Sequence, residues 1–210
     1  VIIASGGFAA SDSLVSKYAP EWGGTPTSNT DETTGDGIIM AEEIGAALSN
    51  MDSFTLNPTF YTEPNGNTMS ASGIRYSGGI LVDKTHGKRF TEEMEDYTAA
   101  SLAELALPEK TAFGILDANS VGRFINYPDV ESGDTPEELA EKIGVDPQGL
   151  AETIANYIKY YDNGYDEDFG RTDMRSRLDT APYYAVPVFP GVHNTHGGIA
   201  VDLKAQVLDT

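Results

Sequence analysis

Four places in this chain of 210 residues carry residue types and spacings that could do chemistry. Gly6-Gly7 follows the β-branched run Val1-Ile2-Ile3-Ala4 and precedes a short helical segment. Strand, glycine turn and helix together let a backbone approach a nucleotide closely. The G-x-G-x-x-G fingerprint is absent, however, and a Gly-Gly pair also fits a plain turn. Gly35-Asp36-Gly37 opens the helical pattern Ile38, Ala41, Ile44, Leu48. Backbone N–H groups and one carboxylate could meet a sugar or phosphate there, or Asp36 could simply cap the helix. The acidic stretch from Asp162 to Asp168 contains a glycine but lacks the alternating ligands and closing glutamate of a calcium loop. His193 and His196 could face one ligand, yet without an H-E-x-x-H frame they make a weak zinc signal, and no metal site is expected.

Composition narrows the partners. Thirty-three acids against 13 bases give a formal charge of −20, which argues against nucleic acid, because phosphate contacts need clustered Lys and Arg. The same charge disfavours an anionic membrane surface. With 40% hydrophobic residues and 11 tyrosines the chain has the apolar surface of a globular protein. Cysteine is absent, which excludes disulfides, thiolate metal sites and cysteine nucleophiles and is compatible with either redox compartment. No apolar run approaches the roughly 20 residues of a membrane span. The chain opens at Val1 inside a strand-like run without an initiator Met, and is read as a piece of a longer protein.

The elements that would position these residues follow from periodicity. Ser11-Asp12-Ser13 offers caps for a helix through Tyr18, and residues 19 to 35 read as a loop. Asn57 to Tyr61 is strand-like. Gly78 to Glu93 reads as a hairpin, its apolar limb Ile80-Leu81-Val82 joined by a polar turn to Lys88-Arg89-Phe90. A helical pattern spans Glu92 to Leu107, a buried strand Ala112 to Asp117, and a capping box at Thr135 starts a helix to about Ile143. From Asp146 a second helix places Leu150, Ile154, Tyr157, Ile158 and Tyr161 on one face. Pro182 to Phe189 reads as an extended edge segment, because its two prolines remove ladder donors.

Taken in order, several stretches resemble one known family. "V-I-I-A-S-G-G-F" is similar to its A-T-G-G-F. "T-G-D-G-I-I-M-A-E-E-I-G-A-A-L" is similar to its T-G-D-G-x-x-M-A-x-x-x-G-A. The segment from Gly78 resembles its G-x-I-L-V-N-x-x-G-x-R-F-x-x-E, Phe169-Gly170-Arg171 matches its F-G-R, and "P-G-V-H-N-T-H-G-G-I-A-V-D" resembles its P-x-V-H-H-T-M-G-G-x-x-x-D. The family is that of FAD-dependent fumarate reductases and flavocytochrome c flavoproteins, with urocanate reductases and 3-ketosteroid dehydrogenases among its relatives. The resemblance implies an α+β fold: a capping domain inserted into a Rossmann-like FAD domain, with a small-molecule substrate held between the two against the flavin. By that pattern residues 1–52 are the last part of the first FAD-domain segment, 53–196 the cap, and 197–210 the return. The dinucleotide fingerprint falls outside the chain, so FAD belongs to the full-length protein, and this piece alone is expected to bind it weakly or not at all and to be inactive.

The family reaction is hydride transfer from the flavin to an activated C=C bond, with a proton delivered to the neighbouring carbon. The resemblance maps its proton-donating arginine, four residues after Glu93, onto Tyr97, and the relay behind it onto Arg75 and Ser72. Its two carboxylate-binding histidines map onto Asn57 and Asn194, with Thr195 beside the latter, and the flavin contacts onto Gly6, Gly7, Asp36, Gly37 and His196. Loss of two histidines and an arginine removes positive charge from the pocket, which points away from a dicarboxylate such as fumarate. A tyrosine can still donate a proton. The expected function is therefore flavin-dependent reduction of a C=C bond in another substrate, with Tyr97, Arg75 and Glu93 as the catalytic set. A related flavin dehydrogenase or a non-catalytic binding module are the alternatives.

Overall fold

The computed structural model describes residues 1–210. The helices are α1 (Asp12–Tyr18), α2 (Asp36–Glu43), α3 (Gly73–Tyr76), α4 (Tyr97–Leu105), α5 (Pro136–Ile143) and α6 (Pro147–Asn163). The strands are β1 (Leu48–Ser49), β2 (Phe54–Thr62), β3 (Thr68–Ser70), β4 (Ile80–Asp83), β5 (Ala112–Leu116), β6 (Glu131–Gly133), β7 (Tyr183–Thr195) and β8 (Gly198–Ile199). The chain forms two compact units, one of Val1–Leu56 with Gly191–Thr210 and the other of Asn57–Pro190. It is α+β in class, as the sequence leads one to expect. No helix is long and apolar enough to cross a membrane.

In the unit holding both termini, the Ser11 hydroxyl caps α1 by accepting from the Leu14 N–H. Leu14 and Val15 then bury with Phe8, Ile38 and Met51, and Phe54 packs edge-on against Phe8 at 5.7 Å. β1 pairs antiparallel with β8. Val1 to Ala4, expected as a strand, forms none, because nothing among residues 1–210 offers it a ladder, and Val1 and Ile2 are fully exposed. β-branched composition favours a strand but cannot supply its partner.

The second unit is built on a sheet of order β3-β2-β7-β5-β4, with β6 also pairing β7. Both faces are covered, and the strands show it by period-two alternation. Ile80, Val82, Ile115, Tyr183 and Ala185 pack with Leu139, Leu150, Ile154 and Tyr157 of α5 and α6. Leu81, Ala112, Leu116, Tyr184, Val186 and Val188 pack on the other face with Ile74 of α3 and Phe124. The expected edge segment from Pro182 is therefore wrong in kind, because β7 lies in the middle of the sheet. A proline removes one N–H, which points to one flank only, so Pro187 can sit opposite Phe113 in the β5 ladder while the strand stays paired.

Two local features set up the site. The turn after β4 is held by Asp83, whose carboxylate accepts from the N–H groups of Thr85, His86 and Lys88. The returning limb of the hairpin pairs only at Arg89, opposite Val82, before it leaves the sheet. The helix expected from Glu92 begins instead at Tyr97, where the Asp96 carboxylate caps it by accepting from Thr98 and Ala99 N–H. Residues 92 to 95 stay non-helical, with the Glu93 side chain and carbonyl bound to three arginines.

Candidate active site

Within the second unit, five of the residues singled out by sequence meet in one hydrogen-bonded network. Arg75, on the single turn α3, is 1% exposed and its Nη1 donates to the Glu93 carbonyl at 2.7 Å. Its guanidinium lies over the Tyr97 ring at 4.2 Å. The Tyr97 hydroxyl is 2.8 Å from that of Tyr76 and also hydrogen-bonds Ser72. Burial alone would push the Tyr97 phenol up. The bonds to Ser72 and Tyr76 and the Arg75 charge outweigh it, so its pKa falls below the ordinary tyrosine value. Asn57, fully buried, donates through Nδ2 to Ser70 and Ser72 and accepts at Oδ1 from the Thr59 N–H and hydroxyl. Its amide is fully committed, which makes it a support for Ser72.

Glu93 sits in a different environment. The carboxylate is fully buried and accepts from Arg89 through both oxygens at 2.7 Å, from Arg171 Nη1 at 2.9 Å and from the Leu81 N–H. Arg89 also pairs with Asp166 at 2.8 Å, and the Phe169 ring stacks on its guanidinium at 4.9 Å. Burial would lower the Arg89 pKa, but Glu93 and Asp166 together raise it. Sequence reasoning missed Arg89, Asp166 and Arg171 as a charge cluster. The signals were present in the K-R-F and F-G-R runs and in the acidic loop weighed for calcium, but no spacing rule links positions 89, 93, 166 and 171. Glu104 was missed as well. It is fully buried on α4, neither carboxylate oxygen has a hydrogen-bond partner, and burial holds its pKa well above 4.5 against the lowering influence of Lys84 and Arg75.

The remaining sequence-derived residues lie in the terminal unit. The Thr195 hydroxyl accepts from the Phe8 N–H at 3.1 Å, and a Cβ on Gly7 would fall 2.2 Å from that same oxygen, so the close approach requires glycine. Gly6, beside it, is exposed. α2 opens on Gly35 in a left-handed conformation with no side-chain cap, which leaves the first-turn N–H groups around Asp36 and Gly37 without a side-chain acceptor. Asp36 is exposed and takes a 2.8 Å bond from Thr34, while Gly37 is buried beneath Ser5. Asn194 is exposed. The exposed His196 ring is 2.6 Å from the Thr55 hydroxyl, and the half-buried His193 ring is 3.2 Å from that of Ser28. The two histidines thus serve separate hydroxyls, and no group of three or more His, Asp or Glu converges to hold a metal.

The sequence profile of an FAD binding domain matches residues 1–210. The chain belongs to the FAD binding domain family. It is 35% identical over 216 residues to the NADH:fumarate oxidoreductase of Klebsiella pneumoniae (strain 342), covering all of this chain and 23% of that protein. It is 30% identical over 225 residues to the urocanate reductase of Eggerthella lenta, again covering all of this chain and 37% of the relative. The open conformation of a flavocytochrome c3 fumarate reductase superposes with a TM-score of 0.78 at 35% identity, over all of this chain and 38% of that one. The chain therefore spans well under half the length of these relatives.

FAD is the cofactor of this family. The terminal unit offers groups that fit such a ligand. The uncapped start of α2 presents backbone donors with the positive end of a helix dipole, suited to a phosphate or a ribityl hydroxyl. Gly6, Gly7, Asp36, Gly37 and His196 are the residues that the sequence resemblance implies would hold it.

Proposed function

We propose that the full-length protein reduces an activated C=C bond in a substrate other than fumarate, with Tyr97 as the proton donor. The observation that carries this reading is the setting of Tyr97, a phenol whose pKa is lowered by Ser72, Tyr76 and a guanidinium stacked on its ring. A general acid works best when its pKa approaches the working pH, and here the bare phenol is moved in that direction. FAD, when bound and reduced, supplies the hydride to one alkene carbon. Tyr97 O–H gives its proton to the neighbouring carbon, and Arg75 stabilises the tyrosinate that results. Glu93 acts as a positioning residue, holding Arg75 through its carbonyl while its carboxylate is neutralised by Arg89 and Arg171. Asn57 positions Ser72 in the same way.

Relatives named for fumarate and for urocanate make this family one that reduces more than one unsaturated acid. The Tyr97 network holds one buried guanidinium, Arg75, with one nitrogen bonded to a carbonyl, so it can pair one carboxylate and leaves no buried cation for a second. An enone or a monocarboxylate alkene fits this charge better than a dicarboxylate. The test is a panel of enones and mono- and dicarboxylate alkenes, scored by reoxidation of the reduced full-length flavoprotein. Turnover of an enone or monocarboxylate, lost in Tyr97→Phe, supports the reading. Fumarate as the fastest oxidant, or Tyr97→Phe at the wild-type rate, overturns it.

A further inference from the structure

A donor that spends its proton each turnover must regain it from solvent. The ways out of the Tyr97 network can be followed bond by bond. Through Ser72 the chain of hydrogen bonds runs to Ser70 and to Asn57, whose partners end at the buried Thr59. Through Arg75 it reaches the Glu93 carbonyl, which carries no transferable proton. Glu104 lies on the same helix, but its oxygens have no hydrogen-bond partner through which to pass a proton. Tyr97, Ser70 and Ser72 are half-buried, and Tyr76 is the exposed member of the network. Its hydroxyl is 2.8 Å from that of Tyr97, and the residue is 46% exposed.

Tyr76 is also held in place. It neighbours Arg75 on α3, and Arg175 lies over its ring at 5.6 Å while donating to its carbonyl at 3.2 Å. Arg175 is itself bound to Asp173, so the phenol is clamped at its backbone and face while its hydroxyl meets that of Tyr97. The two cations near the phenols are unequally placed. The Arg75 guanidinium is 4.2 Å from the Tyr97 ring, whereas Tyr76 has Arg75 at 5.9 Å and Arg175 at 5.6 Å, so the nearest positive charge favours the phenolate on Tyr97.

We infer that Tyr76 is a positioning and proton-relay residue, through which the Tyr97 phenolate is reprotonated from solvent. The inference rests on Tyr97 being the donor. When Tyr97 O–H has given its proton to the substrate carbon, Tyr76 O–H passes its own proton to the Tyr97 oxygen, and water at the surface reprotonates the Tyr76 oxygen. One proton enters from solvent for each proton placed on carbon, and no electrons move in the relay.

The test uses the full-length flavoprotein with excess reduced viologen and whichever alkene in the panel above reoxidises it fastest. Tyr97 brings its own proton to the first turnover, so Tyr76→Phe is expected to slow that turnover only by the loss of one hydrogen bond to Tyr97. Later turnovers are expected to slow by about tenfold or more. The slow phase should quicken with imidazole buffer concentration, as a small acid replaces the missing phenol, and KM should stay unchanged. A merely structural role would slow the first turnover as much as the rest and would not answer to buffer. The relay is overturned if Tyr76→Phe matches wild type in steady state, or if its first and later turnovers slow equally. If no alkene is reduced, or Tyr97→Phe keeps the wild-type rate, the assignment of Tyr97 as donor fails and the relay falls with it.

Discussion

Residues 89 to 97 feed two clusters of opposite character within the unit Asn57–Pro190. Around Glu93, the Arg89, Arg171 and Asp166 charges pair at 2.7 to 2.9 Å and lie almost wholly out of water. Around Tyr97, the groups are hydroxyls that rotate, plus Arg75, whose Nε and Nη2 have no hydrogen-bond partner although they are buried. Buried polar groups are nearly always satisfied, and the exceptions concentrate where chemistry happens. Arg89 Nη1 and Arg171 Nη2 are buried without a hydrogen-bond partner as well, so what separates the two clusters is charge pairing: carboxylates neutralise the arginines around Glu93, whereas Arg75 meets a carbonyl and a phenol ring. Arg75 joins them, one nitrogen fixed to the Glu93 carbonyl and its face offered to Tyr97.

The largest effect expected is on catalysis. Tyr97→Phe in the full-length enzyme should lower kcat by about 10² to 10⁴ in stopped-flow reoxidation, while leaving the denaturation midpoint within experimental scatter. The donor works only while protonated, so wild-type activity should be full at low pH and fall as pH rises through the Tyr97 pKa. That limb should lie below the ordinary tyrosine value of 10, because Ser72, Tyr76 and Arg75 favour the phenolate; a limb at or above 10 would break the assignment. On the scaffold side, Glu93→Gln leaves two buried guanidiniums facing a neutral amide. It should cost about 3–5 kcal/mol of stability by denaturant titration, the penalty for removing one partner of a buried pair.

Glu104 gives a smaller, pH-dependent effect. Its pKa in the folded protein is raised above 4.5 by burial, with Lys84 and Arg75 the charges that oppose the shift. Its stabilising contribution is therefore fully present below the unfolded value and is lost as pH rises through the folded pKa. Stability should fall by up to about 1.4 kcal/mol per pH unit across that window, and Glu104→Gln should flatten the slope. The smallest effect belongs to an exposed counterpart of the Glu93 pairs. Lys88 bonds Glu152 at 2.9 Å with both side chains about half exposed, and Lys88→Ala should cost less than about 1 kcal/mol. A loss comparable to that of Glu93→Gln would erase the distinction between the two kinds of pair.

Local signals carried a good part of the fold. The Thr135 cap, the helix to Ile143 and the face of α6 with Leu150, Ile154 and Tyr157 appear where periodicity puts them, because a cap or an amphipathic stripe is decided within a few residues. The start of α4 was misplaced by five residues, because Glu93 is drawn from the helix by arginines at positions 75, 89 and 171. β7 was misread as an edge for the same kind of reason, since its prolines were weighed without knowledge of which flank each N–H faces.

By itself, then, the sequence determined the acidic, cysteine-free, α+β character of the chain, its family and the residues that depart from the family pattern. All of these are properties of residue identity and short-range order. Only the tertiary structure decided that Tyr97 begins a helix with its ring under Arg75, that Tyr76 meets it at the surface, and that Glu93 is occupied by two guanidiniums. Those facts depend on contacts between residues tens of positions apart, and these are fixed by sheet pairing and burial that no local pattern encodes.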